Sequence, residues 1–206
     1  MTALQSEIER GVQILKNGGV IAFPTDTVYG LGGDAFNAAA AERVYQIKSR
    51  PKELPLPLLI ASAEALASLA CRIPETARVL ARHFWPGGLT LVVPKADSLP
   101  AHLAPGPGIA VRVPNHPVCL LLIECLGNPI VGTSANVSGR PPALTAGEVE
   151  RQLAERVDFI IHGGRSPGGK ESTVVDVTRE PPVVLREGII PSSEIESLIG
   201  VTGAVQ

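Results

Sequence analysis

The chain has 206 residues, a length that favours one domain, and its 45% apolar and 18% charged residues exclude a disordered protein. Its net charge of -2 excludes a globally basic nucleic-acid coat, although a local basic pocket is compatible with that charge. The longest apolar run, 118–123, is far shorter than the ~20 residues of a membrane span, so we expect no membrane partner.

Helical periodicity, caps and breakers predict helices and strands that alternate at first, with strands dominating later. In chain order we predict helix 8–15, strand 20–23, helix 38–48, strand 58–60, helices 62–69 and 74–84, strands 89–93 and 109–112, helix 116–126, strand 129–132, helix 145–153, strands 159–161, 173–177 and 183–185, and a short helix capped by Ser192 or Ser193. Residues 25–37 are predicted to be a Gly-rich loop, and 94–108 a Pro- and Gly-rich crossing. The last residues are predicted to fray.

This pattern predicts an α/β fold with a mixed sheet and helices around it. We expect a single domain over 1–206, with its core at about 8–190 and a short C-terminal tail. Three cysteines are too few for a disulfide framework, so we expect reduced thiols in a cytoplasmic protein. The four histidines are scattered singly, which disfavours a zinc site or a Ser/His/Asp triad, and we predict no protein-built metal site.

Two cations end the predicted helix 38–48. Lys48 and Arg50 stand near its C-terminal end, where positive charge is favoured by the helix dipole alone. Pro51 follows at once and makes the exit rigid, which would hold both side chains toward one place. A rigid pair of cations can bind phosphate without a P-loop, so the structural and the phosphate-binding interpretations both stay open.

Polar and cationic side chains crowd the end of the predicted strand 129–132. They are Thr133, Ser134, Asn136, Ser138 and Arg140. Most such stretches are ordinary turns. Here the density of hydrogen-bond donors at a strand end, the usual ligand location in α/β sheets, makes the segment a candidate for anion binding.

Arg112 ends an apolar strand, where an unpaired guanidinium is costly. Its partner is either an internal carboxylate or the carboxylate of a substrate. Thr25, Asp26 and Thr27 offer hydroxyls and a carboxylate at the end of another strand. Together with the cations, these residues predict an anion-binding pocket, and spacing alone indicates nothing more specific.

Residues 164–170 have the spacing of a P-loop, but Glu171 stands where a magnesium-binding Ser or Thr is needed. A strand is predicted to follow instead of a helix, so we interpret the segment as a Gly-rich connection. It is either a flexible link or a loop that folds over a ligand and brings Ser172 to it. The glycines and the lack of apolar anchors in 163–171 predict a mobile lid.

Seven segments, taken in order, resemble the motifs of the YrdC-like family over residues 11–190. They are FPTDTVYGLG (23–32), KSRP (48–51), WPGGLT (85–90), VRVP (111–114), TSANVSG (133–139), STVVD (172–176) and LREG (185–188). The resemblance implies a twisted α/β domain with a large cationic cavity, without the extra C-terminal domain of longer members. It also implies that L-threonine, bicarbonate and ATP give threonylcarbamoyl-AMP and pyrophosphate, for the threonylcarbamoyl modification of adenosine in tRNA.

The resemblance implies a role for each matching residue. Around the nucleotide phosphates, and as the catalytic set, it places Lys48, Arg50, Ser134 and Asn136. Around threonine it places Thr27, Arg112, Gly132 and Ser172, with Arg112 on the carboxylate. Further contacts to ATP are implied for Gly108, Pro142 and Arg186.

The same resemblance implies ATP as a substrate with magnesium, and no tightly bound prosthetic group. The implied partners are L-threonine, bicarbonate, ATP, double-stranded RNA or tRNA, and a downstream tRNA threonylcarbamoyl transferase. The sequence departs from the family at Leu54, where members often carry Asn or Lys, and at Leu59, where a His is common.

These departures keep open a paralogous nucleotide-dependent enzyme with a different carbamoyl-type substrate. A second alternative is a non-catalytic protein that binds RNA backbones in the same concavity. The near-neutral net charge and the 3% of aromatic residues count against that alternative.

Overall fold

The computed structural model describes residues 2–200. Its α-helices are α1 (Ala3–Lys16), α2 (Ala38–Lys48), α3 (Glu75–Phe84), α4 (Pro117–Leu126), α5 (Ala146–Leu153) and α6 (Ser192–Ile199). Its strands are β1 (Ile21–Phe23), β2 (Gly30–Asp34), β3 (Leu58–Leu59), β4 (Leu89–Pro94), β5 (Gly108–Arg112), β6 (Ile130–Ser134), β7 (Phe159–Ile160), β8 (Thr173–Asp176) and β9 (Val183–Arg186). Short 3₁₀ helices cover Ala63–Ser68 and Ala101–Leu103. The predicted fraying at 201–206 lies outside the described residues.

All nine of these strands join one mixed sheet in the order β7-β1-β2-β6-β3-β5-β4-β8-β9. The pairs β1–β7, β3–β5 and β4–β8 are parallel and the other pairs are antiparallel. The predicted α/β class with a mixed sheet is therefore confirmed. Because β3 runs antiparallel to β6 and parallel to β5, β6 and β5 run in opposite directions. Their C-terminal ends therefore lie on opposite sides of the sheet, measured along the strands.

Each face of the sheet carries its own apolar core. One core joins Leu58, Val111 and Val131 to buried side chains of α2, α3, α5 and α6. The other joins Leu59 and Ile130 to α1 and α4. Helices thus cover both faces, and residues that alternate along each strand choose between the two cores.

The strand β2 corrects the predicted loop at 25–37. Its sequence, Gly-Leu-Gly-Gly-Asp, has little β-propensity, but its backbone pairs with β1 on one side and β6 on the other. A side chain at Gly32 would strike the carbonyl oxygen of Val131 and the side chain of Ile130. Glycine is therefore required by the close approach of β6, and tertiary pairing overrides the local signal.

Several predicted boundaries are also corrected. In place of the predicted helix 62–69 the structure has a 3₁₀ helix at Ala63–Ser68, and Ser62 before it makes no capping bond. Helix α6 begins at Ser192 itself after Pro191, so neither serine caps it, and the Ser192 hydroxyl donates to Glu187 instead. None of the helices within residues 2–200 is both long and apolar enough to cross a membrane.

Candidate active site

A cavity of about 140 Å³, partly open to solvent, lies on the sheet face that carries Leu59. Three guanidinium groups line it, those of Arg50, Arg112 and Arg186, against one lining carboxylate, that of Glu171. Hydroxyl side chains complete much of the wall: Thr25, Thr27, Thr90, Thr133, Ser134 and Ser172. A wall of this composition suits an anionic ligand with several hydrogen-bond acceptors.

The cavity is lined by residues from the C-terminal ends of two strands that run in opposite directions. Ser134 ends β6 on one side, whereas Arg112 ends β5 on the other, and both side chains line the same space. Gly132 and Leu59 lie between them on the sheet face. The cavity thus includes the predicted strand end and extends from it across the face of the sheet.

Lys48, at the end of α2, is buried and is not one of the residues that line the cavity. Its Nζ donates to the Ser134 carbonyl at 2.6 Å, to the Ser134 hydroxyl at 3.2 Å and to Asn136 Oδ1 at 3.0 Å. Burial lowers the pKa of Lys48 to about 8, with Arg50 adding repulsion and Glu171 opposing the shift. The ammonium therefore uses its three protons to hold the Ser134 segment.

Asn136 completes this arrangement from the other side. Its Oδ1 accepts from Lys48, and its Nδ2 donates to the carbonyls of Val137 and Arg140 at 3.0 and 2.7 Å. The structure therefore brings Lys48, Ser134 and Asn136 together, as the sequence predicts. Of these three, only Ser134 lines the cavity.

Arg50 follows the left-handed residue Ser49, which ends α2 and turns the chain toward the cavity. Its Nε donates to the Leu54 carbonyl at 2.9 Å, and its Nη2 to the Pro55 carbonyl at 3.4 Å. Burial is the main cause that lowers the pKa of Arg50, and repulsion from Arg186 lowers it further. Arg50 and Arg186 thus line the same cavity and repel each other electrostatically.

Arg112 has the internal partner that the sequence left open. Its Nη2 forms an ion pair with Asp26 at 2.7 Å, its Nη1 donates to Thr27 Oγ1 at 3.0 Å, and its Nε donates to the Gly87 carbonyl at 2.9 Å. These bonds use three of the five guanidinium N–H groups. Among the described residues, one N–H on each terminal nitrogen is left for a ligand.

Thr25, Thr27 and Val28 form a directed hydrogen-bond relay beside Arg112. The Thr25 hydroxyl donates to the Val28 carbonyl at 2.6 Å, so its own proton is used. The 3.0 Å contact between the Thr25 and Thr27 hydroxyls is therefore donated by Thr27. Thr27 in turn accepts from Arg112, which fixes the orientation of its hydroxyl.

Ser172 and Arg186 form the opposite wall. The Nε and Nη2 of Arg186 donate to the Ser172 carbonyl at 3.1 and 2.8 Å, and Nη2 also lies 3.2 Å from the Ser172 hydroxyl. The Nη1 of Arg186 is paired with Glu171 at 2.8 Å. Thr90 Oγ1 lies 2.8 Å from Ser172 Oγ. This wall thus carries one ion pair and a pair of buried hydroxyls.

Besides Lys48 and Asn136, two further predicted site residues are not among those that line the cavity. Gly108 begins β5, four residues before Arg112, and packs against Val92 and Thr178 at the far end of the strand. Pro142 also lies outside the lining. Their predicted role is backbone contact with ATP, and that role stays a prediction.

The segment 163–171, for which a mobile lid is predicted from its lack of apolar anchors, is held by hydrogen bonds in this structure, and its mobility stays a prediction. Ser166 is fully buried, accepts from the Thr25 amide and donates its own amide to the Leu144 carbonyl. The Gly169 amide donates to the Thr27 carbonyl. The segment runs over the Thr25–Thr27 turn and delivers Glu171 and Ser172 to the cavity. No P-loop helix follows it, because β8 begins at Thr173.

Several residues that line the cavity are not predicted from the sequence. Tyr29 is fully buried, and its single hydroxyl proton is shared between the carbonyls of Ile161 and Gly164, at 3.2 and 2.9 Å. Glu171 enters the prediction only as a mismatch to the P-loop, and Thr90 is not predicted as a site residue. The signal for Thr90 was a polar residue in the otherwise apolar strand 89–93. No group of three or more His, Cys, Asp or Glu side chains within residues 2–200 is arranged to hold a metal ion.

A family model described as "Telomere recombination" and covering Sua5, YciO and YrdC matches residues 13–188. The chain belongs to the Sua5/YciO/YrdC family. The resemblance to the YrdC-like family is thereby confirmed, and the matched span contains every residue that lines the cavity of this Sua5/YciO/YrdC chain.

Two curated relatives of the Sua5/YciO/YrdC chain carry the name threonylcarbamoyl-AMP synthase. The one from Pyrococcus abyssi is 46% identical over 187 residues, and the one from Bacillus subtilis is 41% identical over 196 residues. The matches cover 90% and 94% of this chain but 55% and 57% of the relatives. The chain therefore spans about half the length of these relatives.

The structure is also similar to the crystal structure of P. abyssi Sua5 complexed with L-threonine. The TM-score is 0.90 at 45% identity, and the match covers 94% of this chain and 57% of that one. The nine-stranded fold described above is thus the fold of a family member that binds L-threonine.

Proposed function

We propose that this chain is a threonylcarbamoyl-AMP synthase, which joins L-threonine, bicarbonate and ATP into threonylcarbamoyl-AMP with release of pyrophosphate. The observation that carries the proposal is the match of the whole cavity-bearing segment to relatives with that name. A single YrdC-like domain would carry the reaction. The cavity, with its surplus of guanidinium groups and its hydroxyl wall, has the chemistry that two anionic substrates require.

The amino-acid half of the cavity is assigned to Arg112 and its neighbours. The guanidinium is held by Asp26, Thr27 and Gly87, and its two remaining N–H groups suit the two oxygens of a carboxylate. Ser172 and the backbone of Gly132 lie on the same face and would contact the rest of the threonine. In this assignment Arg112 binds Asp26 and the threonine carboxylate at the same time, so the ion pair orients the guanidinium for the substrate.

The nucleotide half is assigned to Arg50, Arg186 and Ser134. The two arginines would neutralise phosphate charge, and Ser134 would donate its hydroxyl. Lys48 and Asn136 act mainly through Ser134, since their polar atoms are directed at that segment. The positive charge of Lys48 still contributes at short range, because burial leaves it poorly screened.

The reaction needs positioning and charge neutralisation more than a protein nucleophile. The threonine amine and bicarbonate form a carbamate with loss of water. A carbamate oxygen then attacks the α-phosphorus of ATP, and the bond from that phosphorus to the bridging oxygen breaks to release pyrophosphate. Holding both substrates in one cavity supplies proximity, and the arginines stabilise the charge that develops on the phosphates.

Magnesium enters this proposal with ATP. Glu171 is the one lining carboxylate and is paired with Arg186, so the lining residues do not form a protein-held magnesium site. The phosphate oxygens would hold the ion instead. No prosthetic group has a role in this chemistry. We propose a cytoplasmic location, which the three cysteines, all unpaired in the structure, support.

The product would pass to a tRNA threonylcarbamoyl transferase, and double-stranded RNA or tRNA is kept as a proposed partner. The test is incubation with ATP, bicarbonate and a panel of amino acids, with pyrophosphate release and the adenylate product measured. We expect release that requires both threonine and bicarbonate. Release with another amine would favour the paralogous enzyme, and tRNA binding without release would favour the non-catalytic alternative.

A further inference from the structure

Thr90 lies beside Arg112, and the synthase reaction proposed for this cavity gives it no role. It is the second residue of β4 and is 1% exposed, yet its side chain lines the cavity. In the antiparallel register, Leu91 pairs with Val111, so the next pair outward is Thr90 with Arg112. Directly opposite residues carry their side chains on the same face, with Cβ atoms about 5 Å apart.

Leu59 flanks Arg112 on its other side. The parallel register of β3 and β5 pairs Leu59 with Arg112, and Leu59 also lines the cavity. Three adjacent strands, β3, β5 and β4, thus present an isobutyl group, a guanidinium and a hydroxyl in one row on one face. An apolar group and a hydroxyl stand on opposite sides of the proposed carboxylate anchor.

The hydroxyl of Thr90 belongs to a pair with one spare proton. Thr90 Oγ1 and Ser172 Oγ lie 2.8 Å apart, and Ser172 Oγ also accepts from Arg186 at 3.2 Å. Two hydroxyl protons are available and one of them makes the mutual bond. Neither hydroxyl has another acceptor among residues 2–200. A buried O–H group without an acceptor is costly, so a ligand oxygen at this point is favoured.

We propose that Thr90 recognises the side-chain hydroxyl of the amino-acid substrate and that Leu59 contacts its methyl group. This inference rests on the proposed synthase function, since it takes L-threonine as the substrate. The Cβ of threonine carries a hydroxyl and a methyl beside the carboxylate that Arg112 binds. The row of Leu59, Arg112 and Thr90 offers one matching partner to each of these three groups.

The two contacts differ in how strongly they discriminate. A site built to hydrogen-bond a hydroxyl rejects an analogue without one, because its own polar groups are then left unpaired. An apolar wall discriminates against a missing methyl less strongly. We therefore expect L-2-aminobutyrate, which lacks only the hydroxyl, to be a poorer substrate than L-serine, which lacks only the methyl.

The test compares kcat/KM for L-threonine, L-serine and L-2-aminobutyrate, scored by pyrophosphate release, in the wild type, Thr90→Val and Thr90→Ser. In the wild type we expect kcat/KM for threonine to exceed kcat/KM for 2-aminobutyrate by about tenfold or more, which corresponds to the loss of one hydrogen bond. Thr90→Val should reduce that ratio to about twofold, and Thr90→Ser should restore it. Because both substrates are measured on one preparation, partial misfolding cancels from the ratio.

Leu59→Ala is the matched control on the other side of Arg112. It should reduce the preference for threonine over serine and leave the ratio of threonine to 2-aminobutyrate unchanged. An unchanged threonine to 2-aminobutyrate ratio in Thr90→Val, or its loss in Thr90→Ser as well, would overturn the inference while leaving the synthase intact. A wild type without threonine-dependent release would overturn the proposed function and this inference together.

Discussion

The Nη2 atom of Arg112 lies 2.7 Å from Oδ1 of Asp26, in a pair whose side chains are 7% and 15% exposed. Asp26 Oδ1 also accepts from the amide of Asn115 at 3.0 Å, just before α4. One carboxylate thus ties the turn after β1 to the end of β5 and to the start of α4. Any change at either residue should therefore affect both folding and threonine binding.

The first prediction concerns Asp26→Asn, which keeps the size of the side chain and removes its charge. It leaves the Arg112 guanidinium buried without a counter-ion, so the free energy of unfolding should fall by about 3 kcal/mol. Threonine affinity should fall as well, because Arg112 loses its orientation. Denaturant unfolding and threonine titration measure the two effects. The exposed Asp97→Asn control should stay within about 0.5 kcal/mol of the wild type.

The second prediction concerns Arg50→Ala. A charge-assisted contact to phosphate is worth about 1.5–3 kcal/mol, so ATP affinity should fall roughly ten- to a hundredfold. Lys52→Ala is the matched control, because Lys52 is exposed, is paired with Glu42 and does not line the cavity. Calorimetric titration with ATP gives both affinities. Equal losses in the two variants would point to general electrostatic attraction in place of a specific contact.

The third prediction concerns the pH dependence that Lys48 imposes. With its pKa lowered to about 8, the ammonium loses its charge and one proton as the pH rises through that value. We expect kcat/KM for ATP to fall above pH 8, as one bond to the Ser134 segment is lost. The Lys48→Met variant should have low activity and no such decline. A profile that stays flat from pH 7 to pH 9.5 in the wild type would contradict this role.

The lowered pKa of Lys48 also leads to a fourth prediction, for the stability of the fold. The pKa of Lys48 is about 8 in the folded chain against an ordinary value of 10.5, so the unfolded chain binds more protons between these values. The free energy of unfolding should therefore rise with pH across that window, relative to Lys48→Met. Denaturant unfolding at pH 7.5, 9 and 10.5 measures the difference between the two proteins.

A fifth prediction concerns Glu171, which is paired with Arg186 inside the cavity. A carboxylate there repels phosphate and occupies the guanidinium that would bind it. Glu171→Gln should therefore tighten ATP binding several-fold, and the gain should shrink at high salt because charge interactions are screened. Titration at two salt concentrations tests this. Weaker binding that depends on magnesium would instead identify Glu171 as a ligand of the ion carried by ATP.

The sequence predicts most of the fold because most elements carry their own signal. Helix α2 and strand β5 have clear periodicity and breakers, and both are confirmed. Strand β2 has no such signal, since Gly30, Gly32 and Gly33 are typical of loops. What makes it a strand is pairing with β1 and β6, which only the folded chain provides.

The candidate site shows the same division. The cluster of Lys48, Ser134 and Asn136 can be predicted because each residue lies in a recognisable motif. The direction of the Lys48 side chain cannot, because it is set by the packing of α2. The roles of Asp26 and Thr90 could not be predicted from spacing. Asp26 is 86 residues from Arg112 in sequence, and strand register alone brings Thr90 to it.

The relay from Thr27 to Thr25 and on to the Val28 carbonyl has a consequence for how a substrate can lie in the cavity. Because its proton is committed to Thr25, Thr27 can offer a ligand only a lone pair. A carboxylate oxygen placed there would meet another electron pair and be repelled, whereas an N–H group would be bound. Threonine would therefore lie with its nitrogen toward Thr27 and its carboxylate toward the free N–H groups of Arg112. Because the carbamate forms on that nitrogen, these two contacts would fix its orientation in the cavity.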